Sequence, residues 1–168
     1  ETTLIPEMEI LIEWLPQNIP PGEETSIVQG DFRLDNMVFD KNTNEVIAIL
    51  DWELSTLGHP IADFTYHMMT WRMPLGVQGI GILGANLDEL NIPNENEYAD
   101  AYYQKTNRNE IHNWDFFIAY NMFRLAGITQ GIAGRVRDGT ASSDQAKQYG
   151  AFVPILSQMA WKIVENIK

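Results

Sequence analysis

The sequence predicts a single α+β domain over residues 1–168, mostly α-helical, with a small antiparallel sheet near its N-terminal third. Three observations lead to that class. Apolar residues recur at helical spacing in several long segments. Two apolar runs flank a turn-rich stretch in the manner of a hairpin. A chain of 168 residues that is 45% hydrophobic and 11% aromatic holds enough apolar material for one core.

From Thr3 to Leu15, Met8, Leu11, Ile12 and Leu15 share one face, with Glu7, Glu9 and Glu13 on others, which predicts an amphipathic helix with Pro6 near its first turn. Pro16, Pro20, Pro21 and Gly22 are expected to stop it and lead into a short strand at Ser26-Ile27-Val28. Met37-Val38-Phe39 and Val46 through Leu50 bracket Asp40 to Glu45 and read as a hairpin, with Asp40, Asn42 and Asn44 as turn formers. Gly58-His59-Pro60 ends the next loop, and a helix follows over Ile61 to Trp71 with Pro60 at its start.

Residues 74 to 93 carry Gly76, Gly79, Gly81 and Gly84 between Pro74 and Pro93, which predicts a long mobile connection. Asn94 and Glu97 form a capping pair for the next helix, through Tyr98, Ala101, Tyr102 and Lys105. A buried central helix is expected from about Asn113 to Arg137, its side marked by Trp114, Phe117, Ile118, Asn121, Leu125, Ile128 and Ile132. A last helix runs from about Ser143 to Ile167, where Pro154 should bend or divide it.

Charge and composition exclude several functions. A net charge of −12 repels nucleic-acid phosphates and anionic lipid. With no cysteine, neither a disulfide framework nor a thiolate metal site is possible, and a reducing, cytoplasmic setting is the expectation. No apolar run is long enough to span a bilayer, so no membrane partner is expected. Glu1 in place of an initiating Met points to a piece of a longer protein.

The richest chemistry lies in Gln29-Gly30-Asp31-Phe32-Arg33-Leu34-Asp35-Asn36 and, after the hairpin, Leu50-Asp51-Trp52-Glu53. Two strand-bracketed loops place Asp31, Asn36 and Asp51 where side chains can converge. Phosphoryl transfer needs such a set: a carboxylate to take the proton of an attacking hydroxyl, and hard oxygen ligands for Mg²⁺ on the nucleotide phosphates.

The pattern Gly-Asp, four residues, Asn, a hairpin and Asp-Trp-Glu resembles the catalytic and metal loops of the aminoglycoside phosphotransferase and choline kinase superfamily, which has the protein-kinase-like fold. The wording Gly30 to Asn36, Ala48 to Pro60 and Ala126 to Gly131 is similar to a narrower branch, the kinase-like domain associated with acyl-CoA dehydrogenases, and the resemblance covers nearly the whole chain. It implies ATP- and Mg²⁺-dependent phosphorylation of a small-molecule hydroxyl, with a hydroxyacyl-CoA as acceptor and an acyl-CoA dehydrogenase domain or neighbour as partner. A pseudokinase acting as a binding module and an aminoglycoside-type antibiotic kinase are the alternatives.

By position in that motif, Asp31 resembles the catalytic base, Asn36 a Mg²⁺ ligand and Asp51 the second metal-binding carboxylate. Asp63, in Ala62-Asp63-Phe64, resembles the acid that buttresses the catalytic loop. Gln29 stands where the family usually has His, a scaffold residue between the two loops, and an amide can also donate and accept hydrogen bonds. Arg33 and Glu53 are expected to pair and fix loop geometry, with an anionic substrate group as the other partner open to Arg33. The resemblance further implies that the chain is the C-terminal lobe, that the N-terminal ATP-binding lobe is absent from it, and that the piece is inactive by itself.

Three further features have plain structural readings. Gly79-Ile80-Gly81-Ile82-Leu83-Gly84 matches Gly-x-Gly-x-x-Gly, yet it follows the catalytic loop and no strand precedes it, so it reads as a flexible connection. His59, His67 and His112 lack metal-ligand spacing, and Trp114, Phe116, Phe117, Tyr120 and Phe123 read as core and cleft wall. Arg124, Arg135 and Arg137 are left open among solvent, acidic neighbours and a CoA phosphate.

Overall fold

A computed structural model describes residues 4–22, 24–108, 113–141 and 146–167. Helix α1 (Pro6–Gln17) opens on Pro6, whose missing N–H forfeits no bond there, and buries Leu11 and Leu15. It passes Pro16, the expected stop, because a proline in the last turn removes only one donor. Asn18 closes it, its side-chain amide donating to the Trp14 carbonyl at 2.8 Å.

Strand β1 (Ser26–Val28) is as expected, and the hairpin forms as β2 (Met37–Phe39) and β3 (Val46–Ile49), paired antiparallel with Met37 opposite Ile49. The Asp40 carboxylate accepts the N–H groups of Asn42 and Thr43 at 2.8 and 3.0 Å, which shapes the turn. A fourth strand, β4 (Thr56–Gly58), pairs antiparallel with β1. The sheet thus comprises two separate two-stranded ribbons.

Helix α2 (Pro60–Met68) continues as a 3₁₀ turn over Met69–Arg72. The glycine-rich stretch after it is not the expected mobile connection. The Leu83 N–H bonds the Met73 carbonyl and the Ile82 N–H that of Thr70, each at 2.9 Å, while Val77 is buried and Ile80 packs on the core. A one-turn helix α3 (Leu87–Leu90) precedes α4 (Glu95–Thr106), which has the full capping box of Asn94 and Glu97.

The long helix α5 (Trp114–Arg137) is central, packing on α1, α2 and the C-terminal helices. The expected last helix is instead α6 (Ala146–Tyr149) and α7 (Phe152–Val164). The break falls at Gly150, where a Cβ would sit 3.0 Å from that of Ala133, and not at Pro154. Pro154 lies in the first turn of α7, where no intrahelical bond uses its nitrogen. Residues 143–145, the expected start of that helix, lie outside the described residues.

The main core gathers Leu11, Ile61, Met69, Ile118, Met122 and Leu156. A second cluster of Phe64, Met68 and Trp71 meets Tyr98, Tyr102 and Trp114, with Phe64 stacked on Tyr102 at 3.8 Å between centroids. One polar tie crosses the core: the Asn121 amide donates to the Ala62 carbonyl and the Thr65 hydroxyl at 2.8 and 2.9 Å. Among the described residues no helix is long and apolar enough to cross a membrane.

Candidate active site

The loop after β1 and the loop after β3 meet because β1 pairs with β4 and β2 with β3, so both loops leave neighbouring ribbons. At their crossing Gly30 adopts φ +89°, and a Cβ there would stand 2.5 Å from the Leu54 carbonyl oxygen. Only glycine permits both that conformation and that backbone approach. Asp51 is also left-handed, at φ 61° and ψ 57°, a sparsely populated setting for a residue with a side chain.

Gln29, only 3% exposed, is the hub of the two loops. Its side-chain amide donates to the carbonyls of Leu50 and Asp51 at 3.0 and 2.8 Å, and its amide oxygen accepts the Asp31 N–H at 2.7 Å. Asp63, at the start of α2, accepts two consecutive backbone donors, the N–H of Gln29 and, at 2.9 Å, that of Gly30. A carboxylate holding two adjacent amides fixes the chain direction just before Asp31.

Asp31 and Asn36 touch. The Asn36 amide donates to the Asp31 carbonyl and to its Oδ2, both at 2.9 Å, and the Arg33 guanidinium lies 3.3 Å from the same Oδ2. Arg33 also faces Asp35 at 3.7 Å. The expected pair with Glu53 does not form: Arg33 and the two acids lie within one five-residue loop, whereas Glu53 sits on the separate 3₁₀ turn Trp52–Leu54.

Asn36 uses its amide nitrogen in both bonds to Asp31, and its side-chain oxygen accepts no hydrogen bond among the described residues. Its backbone carbonyl accepts the N–H of Leu50 at 2.8 Å, which brings Asp51 next in chain beside it. The Asp51 side chain is exposed and makes no hydrogen bond or ion pair among the described residues. One amide oxygen and one carboxylate fit Mg²⁺, a hard ion that takes few protein ligands and keeps water and phosphate oxygens. No group of three or more His, Cys, Asp or Glu suited to a metal occurs among the described residues.

Two residues that the sequence did not single out as site members complete the surroundings. Tyr66, on α2, is 6% exposed, and its phenol is pushed up to about 12, first by burial and then by the charge and hydrogen bonding of Asp31. Arg124, on α5, donates to the Gly30 carbonyl and lies over the Tyr66 ring, 5.1 Å from its centroid. Beside them opens a cavity of about 530 Å³ whose walls include Arg33, Asp35, Tyr66, Trp71, Ile82 and Tyr98.

The remaining candidates are structural. His59 caps α2 through its Nδ1, which accepts the Ile61 N–H at 3.3 Å, and packs 4.7 Å from the Phe117 ring. His67 packs against Trp71 and Tyr98, and burial pulls its imidazole below the usual value. His112 lies outside the described residues. Phe116 and Phe117 are buried, while Tyr120 and Phe123 line an apolar groove of about 710 Å³ beside α1 and β4, away from Asp31. Arg137 pairs with Asp138 at 2.8 Å, and the stretch from Gly79 to Gly84 begins no helix.

Comparison with known proteins agrees with this architecture. A family model described as the phosphotransferase enzyme family matches residues 1–104. The chain is 41% identical over 162 residues to acyl-CoA dehydrogenase family member 10 of Mus musculus, and 38% identical over 156 residues to family member 11 of Homo sapiens. These alignments cover 96% and 92% of the chain but only 15% and 20% of those relatives. A crystal structure from Ralstonia eutropha JMP134, of a protein provisionally labelled an aminoglycoside phosphotransferase, superposes with TM-score 0.94 at 48% identity. It is matched by all of this chain, over 51% of its own length.

Proposed function

The chain belongs to the phosphotransferase enzyme family, and from that premise we propose that it carries the catalytic and metal loops of an ATP- and Mg²⁺-dependent kinase acting on a small-molecule hydroxyl. The observation that carries the reading is the contact of Asp31 with Asn36 at 2.9 Å, on a loop tied by Gln29 to the Asp51 loop and opening on a cavity.

In this reading the acceptor hydroxyl oxygen attacks the γ-phosphorus in line as the bond to the β,γ-bridging oxygen breaks and ADP leaves. The hydroxyl proton passes to the Asp31 carboxylate. Asn36 and Asp51 would hold Mg²⁺, which when bound supplies neutralisation of the phosphate charge. Asn36 orients Asp31 through Oδ2, and Gln29 with Asp63 keeps the loop in register. The groups that grip the adenine are assigned to an N-terminal lobe outside this chain.

For the acceptor we favour a hydroxyacyl-CoA. The cavity walls are mainly apolar and aromatic, as an acyl chain requires, and Arg33 offers a cation to an anionic group. Among the described residues Asp35 is the only acid in those walls, which is little for a polycationic aminoglycoside. The relatives' name adds an acyl-CoA dehydrogenase domain or neighbour as the proposed partner. The test is phosphate transfer by the full-length protein with ATP and Mg²⁺ to hydroxyacyl-CoAs, free hydroxy acids, choline and aminoglycosides, read as mass gain. Gain on a hydroxyacyl-CoA supports the proposal. Gain only on an aminoglycoside replaces the acceptor, and ATP binding with no gain on any acceptor favours a binding module.

A further inference from the structure

Gly30, the residue before Asp31, is held at both ends by residues from different helices. Its N–H goes to Asp63 on α2 at 2.9 Å, and its carbonyl accepts from Arg124 on α5. Glycine at φ +89° has the widest backbone freedom of any residue, so the direction of the following Asp31 depends on what grips its two polar groups. Arg124 forms no ion pair among the described residues. Its guanidinium is committed instead to this carbonyl and to the face of Tyr66. Burial, and then the charge of Asp31, push the Tyr66 phenol up to about 12, so its hydroxyl stays protonated at neutral pH.

We propose that Arg124 is a positioning residue for phosphate transfer, which sets the direction of the Asp31 carboxylate by holding the Gly30 carbonyl and the Tyr66 ring. The inference rests on the reading of Asp31 as proton acceptor. It makes the helical half of the domain a second support for the catalytic loop, opposite Asp63. A bare packing role would be served by an uncharged side chain of similar length.

The test compares Arg124→Gln, Arg124→Lys, Tyr66→Phe and Asp31→Ala in the full-length protein, with ATP, Mg²⁺ and 3-hydroxybutyryl-CoA as probe. Arg124→Gln is expected to lower kcat by about 10- to 100-fold with both KM values nearly unchanged, since a misdirected reacting group loses rate more than binding. Arg124→Lys, which keeps a cationic donor, should recover part of it. Tyr66→Phe removes only the hydroxyl and keeps the ring on which Arg124 lies, so it should retain more of the wild-type kcat than Arg124→Gln. Amide exchange over residues 29–36 should rise in Arg124→Gln at unchanged melting temperature.

Wild-type kcat in Arg124→Gln, with Asp31→Ala inactive, would overturn the positioning role alone. An active Asp31→Ala would remove the underlying reading and the inference with it. If the probe is not phosphorylated by the wild type, amide exchange decides: unchanged protection over residues 29–36 in Arg124→Gln overturns the inference, and a rise confined to that loop supports it.

Discussion

The side-chain amide of Gln29 donates to the backbone carbonyl of Asp51 at 2.8 Å and so joins two loops 22 residues apart. The same amide reaches the Leu50 carbonyl, and its oxygen takes the Asp31 N–H. A buried glutamine thereby reads both loops at once, with three of its hydrogen-bonding sites used inside the protein.

Gln29→Leu leaves two part-buried carbonyls and one N–H without their partner, which is expected to destabilise the fold by about 1–3 kcal/mol in urea denaturation. Gln29→His retains a ring donor and should keep most of that stability. Equal midpoints for the Leu variant and the wild type would show that the link contributes nothing.

Gly30→Ala meets both a positive φ and the Leu54 carbonyl at 2.5 Å from the new Cβ. The expected loss is about 2 kcal/mol or more, because the backbone of one loop must move. Gly22→Ala, also at positive φ but in open space, should cost less. Denaturation midpoints of the two variants provide the comparison, and a milder effect at Gly30 would contradict the close approach.

The imidazole of His67 is held below its usual 6.5 by burial. The unfolded chain therefore binds more protons than the folded one below 6.5, so this contribution is complete above 6.5 and is lost as pH falls from there through the folded value. His67→Gln should flatten that acid-side fall in stability, measured as urea midpoint against pH. Part of the slope should survive, since burial also lowers the pKa of His59. An identical slope in the variant would place the effect elsewhere.

Local signals were the legible ones. The capping box of Asn94 and Glu97 lies within four residues, and the hairpin turn is written in Asp40, Asn42 and Asn44, so both could be read from neighbours along the chain. Strand β4 could not: Thr56-Leu57-Gly58 has no period of its own and is a strand only because β1 lies beside it. The glycines from 76 to 84 suggested mobility, while the bonds from Ile82 and Leu83 that order the stretch are made to residues outside it. At the site, Asp31, Asn36 and Asp51 stood out through motif spacing, and Asp63 through the family resemblance alone. Arg124 lies 94 residues from the carbonyl it holds, and no spacing rule connects the two.

The most direct measurement is the steady-state rate and ATP affinity of the full-length protein with Asp31→Ala, using the best acceptor from the panel. With the proton acceptor gone and Asn36 and Asp51 intact, kcat should fall by about 100-fold or more while the Kd for ATP and the melting temperature stay near wild type. An unchanged kcat would contradict the assignment of Asp31 and, with it, the account of how these two loops work together.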